Sequence, residues 1–349
     1  MKTIHNIIFG NSQNMENIED NSISLVVTSS PYPIIELWDP LFSQQNSAID
    51  QALNNNNGSL AFELMHKELD VVWNEVYRVL IDGGIACINV GDATRKIGVD
   101  FQLYSNHSRI LKHCIEIGFQ TLPSILWRKP TNAPNKFMGS GMLPPGAYVT
   151  LEHEHILILR KGGKREFKTE KEKKIRRESA FFWEERNIWF SDIWDIGGIS
   201  QSLETEDTRS RSAAYPFELA YRLVNMFSVK KDILLDPFLG TGTTTLAAMS
   251  ASRNSIGYEI DSRFKEIIYS RVENIVPFAN KFIEDRLNNH MEFVNNRIKN
   301  GKEIKYKNIY YTFPVITKQE VELYINKLLE INKINSNMFE IIHDSCIKS

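Results

Sequence analysis

A chain of 349 residues with 42% hydrophobic composition is long enough for one large core and a smaller appended region. Its net charge of −2 excludes the global basic field of many nucleic-acid binders, so any phosphate contacts must come from local patches. The cysteines Cys87, Cys114 and Cys346 lack metal or redox spacing and suit a reducing cytoplasm, and neither a signal-peptide pattern nor a membrane-length apolar run is present.

Ile4 to Phe9 reads as an apolar strand turned by Gly10-Asn11-Ser12, where Asn11 either offers a ligand both donor and acceptor or makes an Asx turn. The next apolar run, Ile23 to Val27, stops at Thr28, Ser29 and Ser30 and then at Pro31-Tyr32-Pro33. That pattern predicts a buried parallel strand opening into a loop at its carboxyl end, where open α/β sheets place their chemistry. Each proline holds the residue before it extended, so the loop is stiff. It presents a hydroxyl, free carbonyls and an aromatic face together. A flat heterocycle with an exocyclic amine fits such a loop: the amine donates to the Ser29 hydroxyl and the Ser30 carbonyl while Tyr32 stacks on the ring. An ordinary strand-to-turn exit fits it as well.

Residues 34–59 combine an apolar burst (Ile34, Ile35, Leu37, Trp38) with Asn- and Gln-rich stretches, and form either a lid or an insertion. Leu60 to Leu80 has helical periodicity, ended by Asp82-Gly83-Gly84, and Ile85 to Val90 is a strand. Phe101 to Gly118 is expected to be one amphipathic helix with Gly118 at its carboxyl end. Leu122 to Trp127 is a strand leading through Arg128-Lys129-Pro130 into a long loop that contains Lys136. His153 to Lys161 is another strand; His153 and His155 share a face, but without a third ligand nearby no metal is invoked. Residues 161–178 are densely charged, with Arg165, Lys168, Lys174, Arg176 and Arg177 among the basic ones, and Phe181, Phe182, Trp183, Trp189, Phe190 and Trp194 follow. Such a run is ordinarily a solvated face; beside these aromatics it suggests contacts to phosphates and base edges.

Phe217 starts a helix. Ile233 to Asp236 is a strand, Pro237-Phe238-Leu239-Gly240-Thr241-Gly242-Thr243 a glycine-rich turn into a helix, and Asn254 to Asp261 a short strand ending in acids. Gly240 and Gly242 let backbone approach a ligand, and the spacing to Glu259 suits a carboxylate on a ribose. No lysine follows Gly242, as a phosphate-binding Walker loop requires, and only two of the three glycines of a dinucleotide fingerprint are present. Phe264 to Val272 is a scaffold helix, and residues 276–349 are expected to be largely helical.

Together these segments resemble the amino-group methyltransferases of DNA, which use S-adenosylmethionine, over roughly residues 4–275. Asp236-Pro237-Phe238-Leu239-Gly240-Thr241-Gly242-Thr243 resembles the family's cofactor loop. Ser29-Ser30-Pro31-Tyr32 resembles its catalytic tetrapeptide, with Ser30 in place of the first proline. The catalytic segment precedes the cofactor segment, as in the permuted β group, and serine at the first position resembles the cytosine-N4 enzymes.

The resemblance implies a Rossmann-like α/β fold: a mostly parallel sheet with helices on both faces. It divides the chain into a catalytic part of the core (1–162), a target-recognition region (163–205), a cofactor-binding part (206–275) and a helical extension (276–349). The implied catalytic residues are Ser29, Ser30, Pro31 and Tyr32. The implied cofactor residues are Asn11, Ser212, Tyr215, Pro216, Asp236, Pro237, Phe238, Gly240, Gly242, Thr243 and Glu259. DNA contacts are expected from Lys129, Lys136, Arg165, Lys168, Lys174, Arg176 and Arg177. The implied activity is methylation of a flipped cytosine at N4 in double-stranded DNA, as the modification enzyme of a restriction-modification system, with a second copy of the chain as a candidate partner. Adenine-N6 methylation, and a binding module without catalysis in which Ser30 marks decay, stay open alternatives.

Overall fold

A computed structural model describes residues 1–129, 139–197 and 215–345, Asp100 by its backbone alone. Lys136, Ser212 and Cys346 lie outside the described residues. The strands in chain order are β1 (Lys2–Phe9), β2 (Ile23–Ser29), β3 (Leu80–Val90), β4 (Ala93–Ile97), β5 (Asp100–Tyr104), β6 (Phe119–Arg128), β7 (His153–Lys161), β8 (Ile193–Asp195), β9 (Ile233–Asp236), β10 (Asn254–Glu259), β11 (Tyr306–Lys307), β12 (Pro314–Val315), β13 (Leu328–Lys333) and β14 (Met338–His343). A 10-stranded sheet runs β13-β14-β1-β10-β9-β2-β3-β7-β6-β8. Its centre, β1-β10-β9-β2-β3, is parallel; β7 runs antiparallel to both β3 and β6, and β14 antiparallel to β1.

Helices cover both faces because the central strands are apolar on both sides. Leu25 and Val27 of β2 pack into the core beneath the helices Phe217–Phe227, Thr243–Ser250 and Ile275–Lys299. Ile23 and Val26 face the opposite core, which is closed by the helices Gly58–Val79 and Asn106–Glu116. β2, with the Ser29-Ser30-Pro31-Tyr32 segment at its end, comes early in the chain, yet pairs directly with β9, which carries the glycine loop.

Residues 34–59 fold into a 3-10 turn, Glu36–Trp38, and two short helices, Asp39–Gln45 and Ser47–Asn54, anchored by the buried Phe42, Ile49 and Ala52. Two expected helices are corrected. Phe101 to Gly118 is not one helix: β4 and β5 form a hairpin turned at Gly98 (φ 64°), and the helix starts only at Asn106. The 276–349 extension is helical to Lys299, then becomes strands. There Phe339, Ile341 and His343 alternate inward while β14 covers the β1 edge, so the two-residue period wins over composition.

The charged run lies apart from the Ser29–Tyr32 loop. Because β7 is antiparallel, its exit at Lys161 lies at the amino end of the parallel strands, away from the catalytic loop. Arg165 packs its backbone against Gly83 and grips the buried Asp232, just before β9, with two hydrogen bonds of 2.6 and 2.8 Å. Arg176 lies over Phe167, Arg177 pairs with Glu322, Lys174 reaches Glu178 and Lys168 reaches Glu166. Of the aromatic run, Phe182, Trp189 and Trp194 are buried whereas Trp183 and Phe190 are exposed, and Glu185 within it clamps Arg286 of the long C-terminal helix. The 163–197 part of the expected recognition region thus lies at the amino end and far edge of the sheet. Arg165→Ala is expected to cost about 1.5–3 kcal/mol by stranding Asp232, measured by chemical denaturation. It should leave the salt dependence of DNA binding unchanged.

Candidate active site

The carboxyl ends of β1, β2, β9 and β10 surround a cavity of about 530 Å³. Ser29, Ser30 and Pro31 line one side; Pro237, Phe238, Gly240, Thr243 and Glu259 line another; Asn11 and Tyr215 complete it. The 3-10 turn and the helix Asp39–Gln45 contribute a cover that includes Trp38, Leu41 and Phe42.

The glycine turn has the geometry its sequence requires. Gly240 and Gly242 have φ of +53° and +83°, which side chains with a Cβ rarely adopt. A Cβ on Gly240 would meet nothing within 4 Å, so at this cavity-lining position backbone is open to a ligand. Gly242 does not line the cavity; it precedes the helix Thr243–Ser250 and makes the turn. Arg271 ties the loop from below, donating to the Thr241 carbonyl and to both threonine hydroxyls at 2.6–3.3 Å.

Glu259 ends β10 with its carboxylate nearly buried, accepting from Gly240 N at 2.7 Å and Asp261 N at 2.8 Å. One lone pair on each oxygen stays free for a vicinal diol. Burial outweighs these donors and pushes the Glu259 carboxyl up to about 7. Asp236 is also buried and raised to about 6, first by desolvation, against hydrogen bonds from Thr28, Thr244, Phe238 N and Tyr215. It does not line the cavity; it is a joint between β2 and β9, accepting from Thr28 Oγ1 at 2.6 Å.

Asn11 lines the cavity, but its amide is committed to an Asx turn, accepting from Gln13 N at 2.9 Å. The Tyr215 hydroxyl is bonded to Thr244, and Pro216 lies outside the lining, at the start of the helix Phe217–Phe227.

Tyr32 departs from the expected stacking role. It is buried and outside the cavity lining, its ring against Gly91 and its hydroxyl in a polar cluster. That hydroxyl donates to Glu154 at 2.9 Å, accepts from Asn89 at 2.9 Å and meets Ser29 Oγ at 3.0 Å. Burial first, then Glu154, holds the phenol well above its usual range, so it stays protonated. Asn89 also donates to Glu154 at 2.6 Å, and Lys129, whose ammonium lies over the Trp127 ring, donates to the other carboxylate oxygen. Lys129 thus stands at the active-site end of the sheet. Chain order alone does not single out Asn89 and Glu154. They lie near the end of one strand and the start of another, and only the antiparallel β3–β7 register makes them neighbours.

His153 does not join His155 in a metal-like cluster; instead Asp92 and His107, from afar, bring ligand atoms within 4.8 Å of His155 and of one another. The His107 and His155 rings stack nearly parallel at 3.8 Å, so their lone pairs do not converge on one ion, and Asp92 is occupied with His107 Nδ1 and N. It caps a helix start. Among the described residues, no helix is long and apolar enough to cross a membrane.

The DNA methylase family model matches residues 23–270 of the chain, spanning both β2 and the glycine loop. The chain belongs to the DNA methylase family. Type II methyltransferase M.MthZI of Methanothermobacter thermautotrophicus is 54% identical over 345 residues, covering 98% of this chain and 96% of that protein. Type II methyltransferase M.MjaI of Methanocaldococcus jannaschii is 51% identical over 281 residues, covering 77% and 91%. TTHA0409 of Thermus thermophilus, solved in complex with S-adenosyl-L-methionine, is 32% identical with a TM-score of 0.59, covering 78% of this chain and 96% of that one. The cytosine-N4-specific PvuII DNA methyltransferase, 18% identical with a TM-score of 0.52, shares the fold. The methylase is therefore a DNA methyltransferase of the restriction-modification type that uses S-adenosylmethionine.

The residues present fit that cofactor: an open glycine backbone, a carboxylate with two free lone pairs and no lysine to hold a phosphate. Ribose hydroxyls donate to a carboxylate, so binding selects the charged form of Glu259. Cofactor affinity should rise as pH passes upward through about 7 and weaken by about tenfold per pH unit below it. Ligand-free stability should run the other way. Both raised carboxyls stabilise the fold below their unfolded values, and that contribution is lost as pH rises through about 6 to 7. Calorimetric titration of cofactor between about pH 6 and pH 8 checks the first trend, and Glu259→Gln should flatten it and weaken binding more than about tenfold.

Proposed function

We propose that the methylase transfers a methyl group to the exocyclic N4 amine of a cytosine flipped out of double-stranded DNA. The observation that carries this reading is the serine at the first catalytic position. Ser29 lines the cavity at the end of β2, with Ser30 and Pro31 beside it. A hydroxyl there resembles the cytosine-N4 enzymes, whereas adenine-N6 enzymes usually carry Asp or Asn. A base inside a duplex cannot reach a cavity enclosed by sheet ends and helices, so flipping accompanies this reading.

The amine of cytosine is delocalised into its ring and is a weak nucleophile. Ser29 Oγ and the Ser30 carbonyl would accept hydrogen bonds from its two N–H groups and favour a tetrahedral nitrogen, and the one proton shed once the N–C bond forms would leave to solvent. The bound cofactor supplies an electrophilic methyl group and a neutral leaving group. What remains for the protein is orientation and electrostatics. Glu259 would hold the ribose, Gly240 would admit the cofactor against backbone, and Asp236 would fix the two loops relative to each other.

DNA contacts are assigned to the carboxyl face of the sheet. Lys129 stands there, where β6 ends and β7 begins, and residues 139–152 return the chain on that side. β8 runs parallel to β6, so its exit at Asp195 faces the same way. We assign target recognition to the loops of this face, in place of the basic run at 163–178.

Hydrolysis of DNA methylated by the purified protein, followed by mass spectrometry of the nucleosides, tests the base assignment: N4-methyldeoxycytidine is expected, and N6-methyldeoxyadenosine would overturn it. Ser29→Ala should lower turnover by about 10²-fold with little change in cofactor affinity, as for loss of one group aimed at developing charge. Undiminished turnover in that variant would remove Ser29 from the mechanism.

A further inference from the structure

The cluster of Ser29, Tyr32, Asn89 and Glu154 has a proton order that its donors and acceptors dictate. Glu154 accepts from Lys129 on one oxygen, and from Asn89 Nδ2 and the Tyr32 hydroxyl on the other. The Asn89 amide cannot be turned round, since its oxygen would then face the carboxylate at 2.6 Å. Tyr32 owns one proton. Given to Glu154, it leaves the phenol oxygen as an acceptor for Asn89 and for Ser29. Were the phenol to donate to Ser29 instead, two acceptor oxygens would sit 2.9 Å apart in a buried site. The 3.0 Å contact between Ser29 and Tyr32 is therefore Ser29 donating inward.

We propose that Glu154 is a positioning residue that, through Tyr32, turns the Ser29 hydroxyl proton away from the cavity so that the oxygen presents lone pairs to the target amine. An unoriented hydroxyl can aim either its proton or a lone pair at an incoming N–H, and only the second helps. The only competitor for those lone pairs in this cluster is Asn89, at the long distance of 3.3 Å, and its two protons already have nearer acceptors in Glu154 and Tyr32. The burial of Tyr32 that removes it from base stacking gives it this second use, as the link between a carboxylate on β7 and a hydroxyl on β2.

The inference rests on Ser29 as the acceptor for an exocyclic amine, and holds whether that amine belongs to cytosine or adenine. Single-turnover rates, DNA KM and cofactor Kd are measured for Ser29→Ala, Glu154→Gln, Tyr32→Phe and the double variant Glu154→Gln/Tyr32→Phe. In Glu154→Gln the side-chain amide can donate to the phenol, which lets the proton order reverse. The expected result is at least a tenfold loss of rate in both single variants, with cofactor Kd unchanged and KM within twofold. The double variant should be no slower than Tyr32→Phe alone, because both changes break one relay. Losses that multiply, or an unchanged rate in Tyr32→Phe, overturn the proposal. Should Glu154→Gln fail to fold, Tyr32→Phe decides by the same criterion. Ser29→Ala separates the two failures: full activity there overturns the reading of Ser29, whereas loss there without loss in Tyr32→Phe overturns only the relay.

Discussion

One buried hydrogen bond joins the two halves of the active site. Thr28 Oγ1 donates to Asp236 at 2.6 Å across 208 residues of chain. Thr28 precedes the catalytic loop and Asp236 precedes the glycine turn, so this bond holds the carboxyl ends of β2 and β9 level. Thr244, from the helix after the turn, adds a second tie to the Val27 carbonyl at 3.0 Å. A methyl transfer needs acceptor and donor held within a fraction of an ångström, and neighbouring parallel strands pinned at their ends provide that rigidity better than loops do. The same Asp236 carboxyl also accepts from Phe238 N at 3.1 Å, which shapes the first step of the glycine turn.

Three buried carboxyls at this end of the sheet differ in what surrounds them, and the surroundings set their uses. Asp236 is enclosed by hydroxyl and amide donors and serves as a joint. Glu259 has two backbone donors and an open side toward the cavity, so it keeps capacity for a ligand. Glu154 meets a lysine, an amide and a phenol, and directs protons without facing the cavity itself. Residue type would not separate these roles; donor count and exposure do.

What is legible in the sequence follows from how local each signal is. The Val26-Val27-Thr28-Ser29 exit, the Gly240 and Gly242 turn and the position of Glu259 are short-range patterns, and they carry the sheet's centre and the cavity lining. The antiparallel return of β7 has no local marker. It redirects everything downstream, carrying Arg165 to a buried partner at the end of the sheet away from Ser29. The same register brings Glu154 beside Asn89. Tyr32 misleads for a related reason: an aromatic beside a catalytic serine reads as a stacking face, while its burial depends on Gly91, from the end of another strand.

The C-terminal region shows how a sheet edge can override composition. Residues 306–343 are rich in Asn, Lys and Ile and carry little strand signal on their own. Their partner supplies it. β1 would otherwise be an exposed edge with unpaired backbone groups. β14 covers that edge, and its inward residues reach the polar pocket of Thr3, His5 and Ser255, where His343 Nε2 bonds Thr3 Oγ1 at 2.9 Å. Desolvation lowers both histidines to about 3, so the pocket is held together by neutral imidazoles over the whole physiological range.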